Sequence, residues 1–197
     1  MYLKAKIKTL ISNFKPLTKE EVDLIVERTV VKEFKKGEIL LREGQIPTKC
    51  YMVVEGCIRE YLIKNGDEKS TAFYTESETF TPPSQKGKPS NHYWECVEDS
   101  VLTVSTKGYE EELRALLPRL NDVFQQIAID KINFAKEELS QFISSTPEER
   151  YLNLLEKKSH LLARVPQHQI ASYLGMKPQS LSRIRKRVIE KEKNLAK

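Results

Sequence analysis

The chain has 197 residues, 31% of them charged, with a formal net charge of +5. That length suits one large or two small domains with a real core. No apolar run approaches the roughly 18 residues of a membrane span, so no membrane partner is expected. Lys4, Lys6 and Lys8 are not followed by an uninterrupted apolar core, so no secretory signal is read and the expected location is cytoplasmic. Cys50, Cys57 and Cys96 are widely spaced, with no CxxC pair, and read as structural thiols of a reducing compartment. His92, His160 and His168 have no ligand spacing, so no metal site is predicted.

Residues 3–14 and 18–28 read as two short helices broken at Pro16. Thr18 with Glu21 has the spacing of a capping box, and Leu24 and Ile25 are expected to pack on the domain that follows. From Val30 to Ser105 the texture changes to short β-rich runs cut by glycine. Val30–Phe34, Ile39–Arg42, Tyr51–Val54, Cys57–Ile63, Ser70–Tyr74, Tyr93–Val97 and Val101–Ser105 are the runs, and Asn65-Gly66 is a hairpin signal. About eight strands at this spacing predict a jelly roll or barrel.

Residues 109–145 read as helical, with a restart at Pro118 and an end at Thr146-Pro147. Leu113, Leu116, Leu117, Leu120, Phe124, Ile127, Lys131 and Phe134 track one stripe, with Ile132 and Ala135 beside it. Two readings stand: the stripe pairs with a second copy, or it packs on the chain's own β-roll. Thr146 with Glu149 opens another helix, carrying Tyr151, Leu152, Leu154 and Leu155.

The most informative stretch is Val165–Val188. Ile170, Ala171 and Leu174 form one apolar helical face; Gly175 interrupts; Leu181, Ile184 and Val188 resume at i, i+3, i+7. Ala171 lets a second helix cross closely, and Gly175 suits the positive φ of a sharp turn. This is the pattern of a helix-turn-helix. With Leu181, Ile184 and Val188 inward, Gln179, Arg183, Lys186 and Arg187 project from the opposite side, with Ser180 at its edge. Gln bonds adenine and Arg bonds guanine bidentately, whereas Lys186 and Arg187 are better placed for phosphates. The competing reading is a helical hairpin with a solvated basic face. Charge favours nucleic acid: residues 146–197 carry 12 Lys/Arg against 5 Asp/Glu, and residues 1–145 carry 21 against 23.

Gln167, Ile170, Ala171, Leu174, Gly175, Leu181, Ser182 and Arg183 resemble the DNA-binding signature of the cyclic-AMP-receptor/fumarate-nitrate-regulator (Crp-Fnr) superfamily. Arg164-Val-Pro-Gln, with Ile-Ala-Ser-Tyr-Leu-Gly and Leu-Ser-Arg-Ile-Arg-Lys, looks like the branch of that superfamily abundant in Bacteroidetes-type bacteria. Phe34-x-x-Gly37-Glu38-x-Leu40, Gly44 and Tyr51-x-Val53-x-x-Gly56-x-Ile58-Arg59 are similar to the first half of the cyclic-nucleotide-binding β-roll. The resemblance implies an α+β fold in three parts. These are a sensor β-roll with N-terminal helices over residues 1–108, a dimerisation helix over 109–145, and a winged helix-turn-helix over 146–197. It further implies a transcription regulator acting as a homodimer on double-stranded DNA, with RNA polymerase as a further partner. Gln167 and His168 join Gln179, Ser180, Arg183, Lys186 and Arg187 as the candidate DNA-binding set. Residues 177–179 read Lys-Pro-Gln where better-studied members have Ser/Thr-Arg-Glu, so no target sequence carries over.

The second half of the β-roll departs from the nucleotide-binding pattern. Nucleotide-binding members hold the ribose and cyclic phosphate with a Gly-Glu pair and a later Arg-Ser/Thr. Phe80–Trp94 has neither Gly-Glu nor arginine. Lys86, Lys88, Ser90 and His92 are the candidate ligand donors there, against the reading of a plain exposed loop. Cyclic AMP is therefore not expected, no cofactor is predicted and the small-molecule effector is left open. No cysteine precedes Cys50, against an N-terminal iron–sulfur sensor. An enzyme of the cupin type needs clustered His and carboxylate ligands, but only His92 falls in the barrel region; a GxSxG elbow and a phosphate-binding glycine loop are also missing. The non-enzyme alternative to DNA binding is a ligand or protein-interaction module, which would not need the basic C-terminal part.

Overall fold

The computed structural model describes residues 2–12, 17–81 and 87–195. Contacts divide the chain into two units, residues 1–60 with 73–135, and residues 61–72 with 136–197.

The first unit begins with α1 (Tyr2–Ser12) and α2 (Lys19–Arg28). Pro16 lies outside the described residues. Thr18 and Glu21 form the expected capping box: the Thr18 N–H donates to Glu21 Oε2 at 2.7 Å, and the Glu21 N–H to Thr18 Oγ1 at 3.3 Å. Ile25 packs as expected, but Leu24 is not part of that cluster. Val22 and Val26 are, beside Ile7, Leu10 and Ile11 of α1 and Met52 and Val54 of the roll. Residues 22, 25 and 26 share a face at helical spacing, and Leu24 turns off it.

The strands are β1 (Val30–Phe34), β2 (Ile39–Leu41), β3 (Lys49–Glu55), β4 (Ile58–Lys64), β5 (Asp67–Tyr74), β6 (Thr79–Phe80), β7 (Tyr93–Cys96) and β8 (Ser100–Thr106). They form two four-stranded sheets, ordered β1-β8-β3-β6 and β2-β7-β4-β5. The β4–β5 hairpin turns at Asn65 and Gly66, with φ of 55° and 82°, the doubly positive pair that matches strand twist. Between the sheets lie Leu41, Tyr51, Val53, Ile58, Phe80, Trp94, Cys96 and Leu102, contributed by both. At Gly56 (φ +108°) an added Cβ would fall 2.7 Å from the Ser100 backbone, so only glycine lets β8 approach there. Cys50, Cys57 and Cys96 form no disulfide.

The sequence reading omitted β6. Two residues are too few to show a period, and Thr79 and Phe80 are held by pairing with Met52 and Tyr51 of β3.

Two helices follow, α3 (Lys107–Leu116) and α4 (Leu120–Ser144), separated at Pro118 as expected. The stripe read from the sequence divides: Leu113 and Leu120 are buried and Leu117, Phe124 and Ile127 half-buried, whereas Leu116 and Phe134 are exposed; Val123, outside that stripe, is buried as well. Lys131, which interrupts that stripe, donates from Nζ to the Thr79 carbonyl at 2.6 Å. Its desolvation lowers its pKa from the ordinary lysine value, partly opposed by Glu78. A second apolar line, Ala128, Ile132, Ala135, Leu139 and Phe142, runs at alternating spacings of four and three; Ile132 is 67% and Leu139 59% exposed.

The second unit holds the end of α4 with α5 (Pro147–Lys158), α6 (Leu161–Arg164), α7 (Gln167–Tyr173) and α8 (Pro178–Leu195). Thr146 and Glu149 cap α5 reciprocally, at 2.7 and 3.3 Å. The wing implied by the family resemblance is not seen: among the described residues no strand follows β8. Residues 159–166 between α5 and α7 are too few for two strands besides α6, and the charged run after Val188 continues α8 as far as Leu195.

Candidate nucleic-acid interface

Two short helices and a tight turn build the site. Helix α7 ends in hydrogen bonds that satisfy its last carbonyls. The Gly175 N–H donates to the Ser172 carbonyl at 3.0 Å and the Met176 N–H to the Ala171 carbonyl at 2.9 Å. This is the paired pattern of a Schellman end, and Gly175 supplies its left-handed residue at φ +68°. The turn then passes directly into α8. The Lys177 carbonyl accepts from the N–H groups of Ser180 and Leu181, at 3.0 and 3.1 Å, and Pro178 occupies the first turn, where its missing N–H costs nothing.

Below the turn, Ile170, Ala171 and Leu174 meet Leu181, Ile184 and Val188, each at most 6% exposed. Tyr151 and Leu154 of α5 and Leu161 of α6 are buried in the same unit. Burying a Leu or Ile side chain contributes about 1.5–3 kcal/mol, so these positions fix the orientation of α8 on α7.

The opposite side of α8 carries the chemistry. Gln179, Ser180, Ser182, Arg183, Lys186 and Arg187 are all exposed. At 100° per residue, Gln179, Arg183 and Lys186 lie nearest the centre of the outward face, and Ser180 and Arg187 lie on one flank. Their charges are not equally available. Arg187 reaches Glu148 of α5 at 3.2 Å, and Lys191 reaches the same carboxylate at 2.8 Å. The Lys191 hydrogen bond, with both cations, holds the Glu148 carboxyl below its usual range. Lys186 has only a 4.0 Å contact with Glu190 one turn on. Arg183 has no ion pair or hydrogen bond among the described residues, so its guanidinium is free to bind. Gln167 and His168 are exposed at the start of α7, and Gln169 turns half inward.

Sequence reasoning missed Arg150. Its Nη1 donates to the Leu174 carbonyl at 3.1 Å, while its guanidinium lies 4.0 Å from the centre of the Phe142 ring. The available signal was an arginine one residue before buried Tyr151, half-buried itself.

The candidate ligand residues are not assembled into an anion cradle. Lys86 lies outside the described residues, and Lys88 is exposed. Ser90 is buried, but its hydroxyl is engaged with the backbone of His92, at 3.0 and 3.2 Å. His92 has Nε2 3.6 Å from Glu60, and its Nδ1 is buried without a partner. Glu60 also accepts from Tyr74 Oη at 2.9 Å and Trp94 Nε1 at 3.0 Å. Around it Phe80 stacks on Tyr51 and Tyr74, with ring centres 5.2 and 4.8 Å apart, and Trp94 meets Phe80 edge-on at 4.9 Å. The roll's buried arginine, Arg59, is 3.6 Å from Glu95. A cavity of about 590 Å³ opens beside Leu40, Leu41, Ile46, Pro47, Tyr51 and Trp94, and Lys49 is the charged residue on its wall. A cyclic phosphate needs charge-assisted donors; around Glu60 the described residues present aromatic faces and a carboxylate, and the cation on the cavity wall is Lys49.

The sequence pattern of the cyclic nucleotide-binding domain matches residues 31–115. That match takes in the eight described strands but for the first residue of β1, and most of α3. Solved structures similar over most of the chain include FixK2 from Bradyrhizobium japonicum, at 18% identity over 83% of this chain and 86% of that one, with a TM-score of 0.72. The catabolite activator protein of Thermus thermophilus is 21% identical over 91% and 87%, with a TM-score of 0.57. The c-di-GMP-responsive global regulator CLP of Xanthomonas campestris is 12% identical over 89% and 93%, with a TM-score of 0.64. No curated protein matches the sequence. Over most of its length the chain therefore has the fold of these solved structures.

Proposed function

We propose that this protein is a sequence-specific DNA-binding transcription regulator of the Crp-Fnr type, not an enzyme, working in the cytoplasm as a homodimer. The observation that carries the reading is the α7–turn–α8 unit. Its core positions are buried, its turn is closed around Gly175, and its outward face holds Gln179 and an unpaired Arg183. In this motif the N-terminal part of the second helix meets base edges in the major groove. Gln179 and Arg183 lie on that part of α8, where they read bases; Lys186 lies further along and holds phosphate. Arg187 is compensated by Glu148 and contributes less. Gln167 and His168 touch the backbone from the start of α7. RNA polymerase is the further partner such a regulator engages.

The dimer uses the outward line of α4, not the stripe that carries Leu120, Phe124 and Ile127. Ala128, Ile132, Ala135 and Leu139 have the spacing of a helix–helix seam, with small residues alternating with large ones. Two copies joined there present two recognition helices to successive turns of DNA.

Cyclic AMP is not the effector in this reading, because Glu60 and its ring partners offer a cyclic phosphate no charge-assisted donor, and a buried unpaired charge is costly.

Titration with mixed-sequence duplex DNA at several salt concentrations tests the binding class. The reading requires affinity to fall with salt, by about 0.9 logarithmic units per decade for each phosphate contact. Binding that is absent, or indifferent to salt, contradicts it.

A further inference from the structure

Phe142, Arg150 and Gly175 come from three elements of the second unit, and their meeting is not used by the fold's main core. Phe142 sits on the last turns of α4 and is 40% exposed. Arg150 lies on the second turn of α5, with its guanidinium centred 4.0 Å from the middle of the Phe142 ring. From there Nη1 donates to the Leu174 carbonyl at 3.1 Å. Leu174 follows α7 directly and opens the turn. A Cβ on Gly175 would lie 3.1 Å from both Arg150 Nη1 and Phe142 Cζ, so glycine is favoured by its φ of +68° and any larger residue would press on this pair.

The partners explain why the contact is specific. Arg150 Nε is buried without a partner, so the guanidinium is held by the ring face and one carbonyl, and not by a carboxylate. A planar cation on an aromatic ring with a directed hydrogen bond has one geometry; a lysine keeps the charge but not the plane. The carbonyl it grips belongs to the turn that sets the angle between α7 and α8.

We propose that Arg150, seated on Phe142, is a positioning residue for DNA reading: it ties the end of α4 to the α7–α8 turn and so fixes how the outward face of α8 meets the bases. This rests on the DNA-binding reading above. The two residues touch no DNA themselves. Phosphate attraction tolerates a small tilt of α8, whereas bidentate base bonds do not. Loss of the contact therefore lowers discrimination between sites before it lowers general affinity.

The test compares wild type with Arg150→Lys and Phe142→Leu, both chosen to keep the unit folded. Each is titrated with its best DNA site and with mixed-sequence duplex, and amide hydrogen exchange is followed at Gly175 and Met176. The expected result is faster exchange at these two amides and a specific-to-nonspecific ratio reduced about tenfold, the worth of one good base contact, with the salt dependence on mixed-sequence DNA unchanged. Phe142→Tyr, which keeps the ring, restores both readouts. The proposal is overturned if both variants keep wild-type discrimination, or if specific and mixed-sequence affinity fall by the same factor. If wild type itself binds no DNA, the DNA-binding reading fails; the exchange rates at Gly175 and Met176 then still decide whether the contact holds the turn, and unchanged rates overturn it.

Discussion

Gly175→Ala is the substitution whose cost the structure lets one work out. Two penalties combine there. A residue with a Cβ in the left-handed region costs about 1–2 kcal/mol. The new methyl would also stand 3.1 Å from Arg150 Nη1 and from the Phe142 ring. The arginine tip and the ring must give by a few tenths of an ångström, which weakens the bond to the Leu174 carbonyl, a charge-assisted hydrogen bond worth about 1.5–3 kcal/mol when intact and before discounting for partial exposure. A total loss of about 1.5–4 kcal/mol follows, more than the backbone penalty alone. Gly37→Ala is the control: its φ is +80°, yet nothing lies within 4 Å of the added Cβ, so only the backbone penalty applies, about 1–2 kcal/mol. Denaturant unfolding followed by far-ultraviolet circular dichroism measures both. Trp94, the chain's one tryptophan, is buried in the β-roll and reports that unit separately. Equal losses for the two variants would refute the close approach at Gly175, and no loss for either would refute the need for a left-handed residue.

On the recognition helix, Arg183→Ala should cost about 1–3 kcal/mol on the best site and relax preference at one base position, whereas Lys186→Ala should weaken all sequences alike and lower the salt slope by about one unit; matched and mutated operators titrated at several salt concentrations separate the two. Leu139→Glu should convert a dimer to a monomer in sedimentation at micromolar protein, while Phe124→Leu, half-buried against its own unit, should leave the dimer intact; a monomeric wild type would end the dimer proposal. Calorimetry with cyclic AMP should show no tight binding, and a micromolar dissociation constant accompanied by rising DNA affinity would overturn the reading of the β-roll.

What the sequence made legible was local. Capping boxes at Thr18 and Thr146, the Asn65-Gly66 turn and the spacing around Gly175 are short-range patterns, and all are found in the structure. The helix-turn-helix was plain because its core positions, its turn residue and its outward chemistry agree within one short stretch. The long helix was legible only as a helix. A 25-residue segment with two apolar lines shows periodicity for both, and the sequence does not say which line meets the roll. Lys131 looked like a flaw in one stripe because its partner, the Thr79 carbonyl, is 52 residues away. Glu60 is similar: its bonds to Tyr74 and Trp94 span 14 and 34 residues, and a carboxylate in an alternating strand reads as an outward position. The wing failed for a different reason. It came from the family resemblance, and among the described residues the stretch after Val188 extends α8 instead of forming strands.

Selection of bound duplexes from a random DNA pool is the most direct test of the central claim, that α8 reads sequence from a dimer. The account predicts an enriched inverted repeat with half-site centres about 34 Å apart, one turn of DNA, and enrichment that weakens at one symmetric pair of positions when Arg183→Ala is selected in parallel. A pool that remains random after repeated rounds, despite salt-sensitive binding, would contradict it.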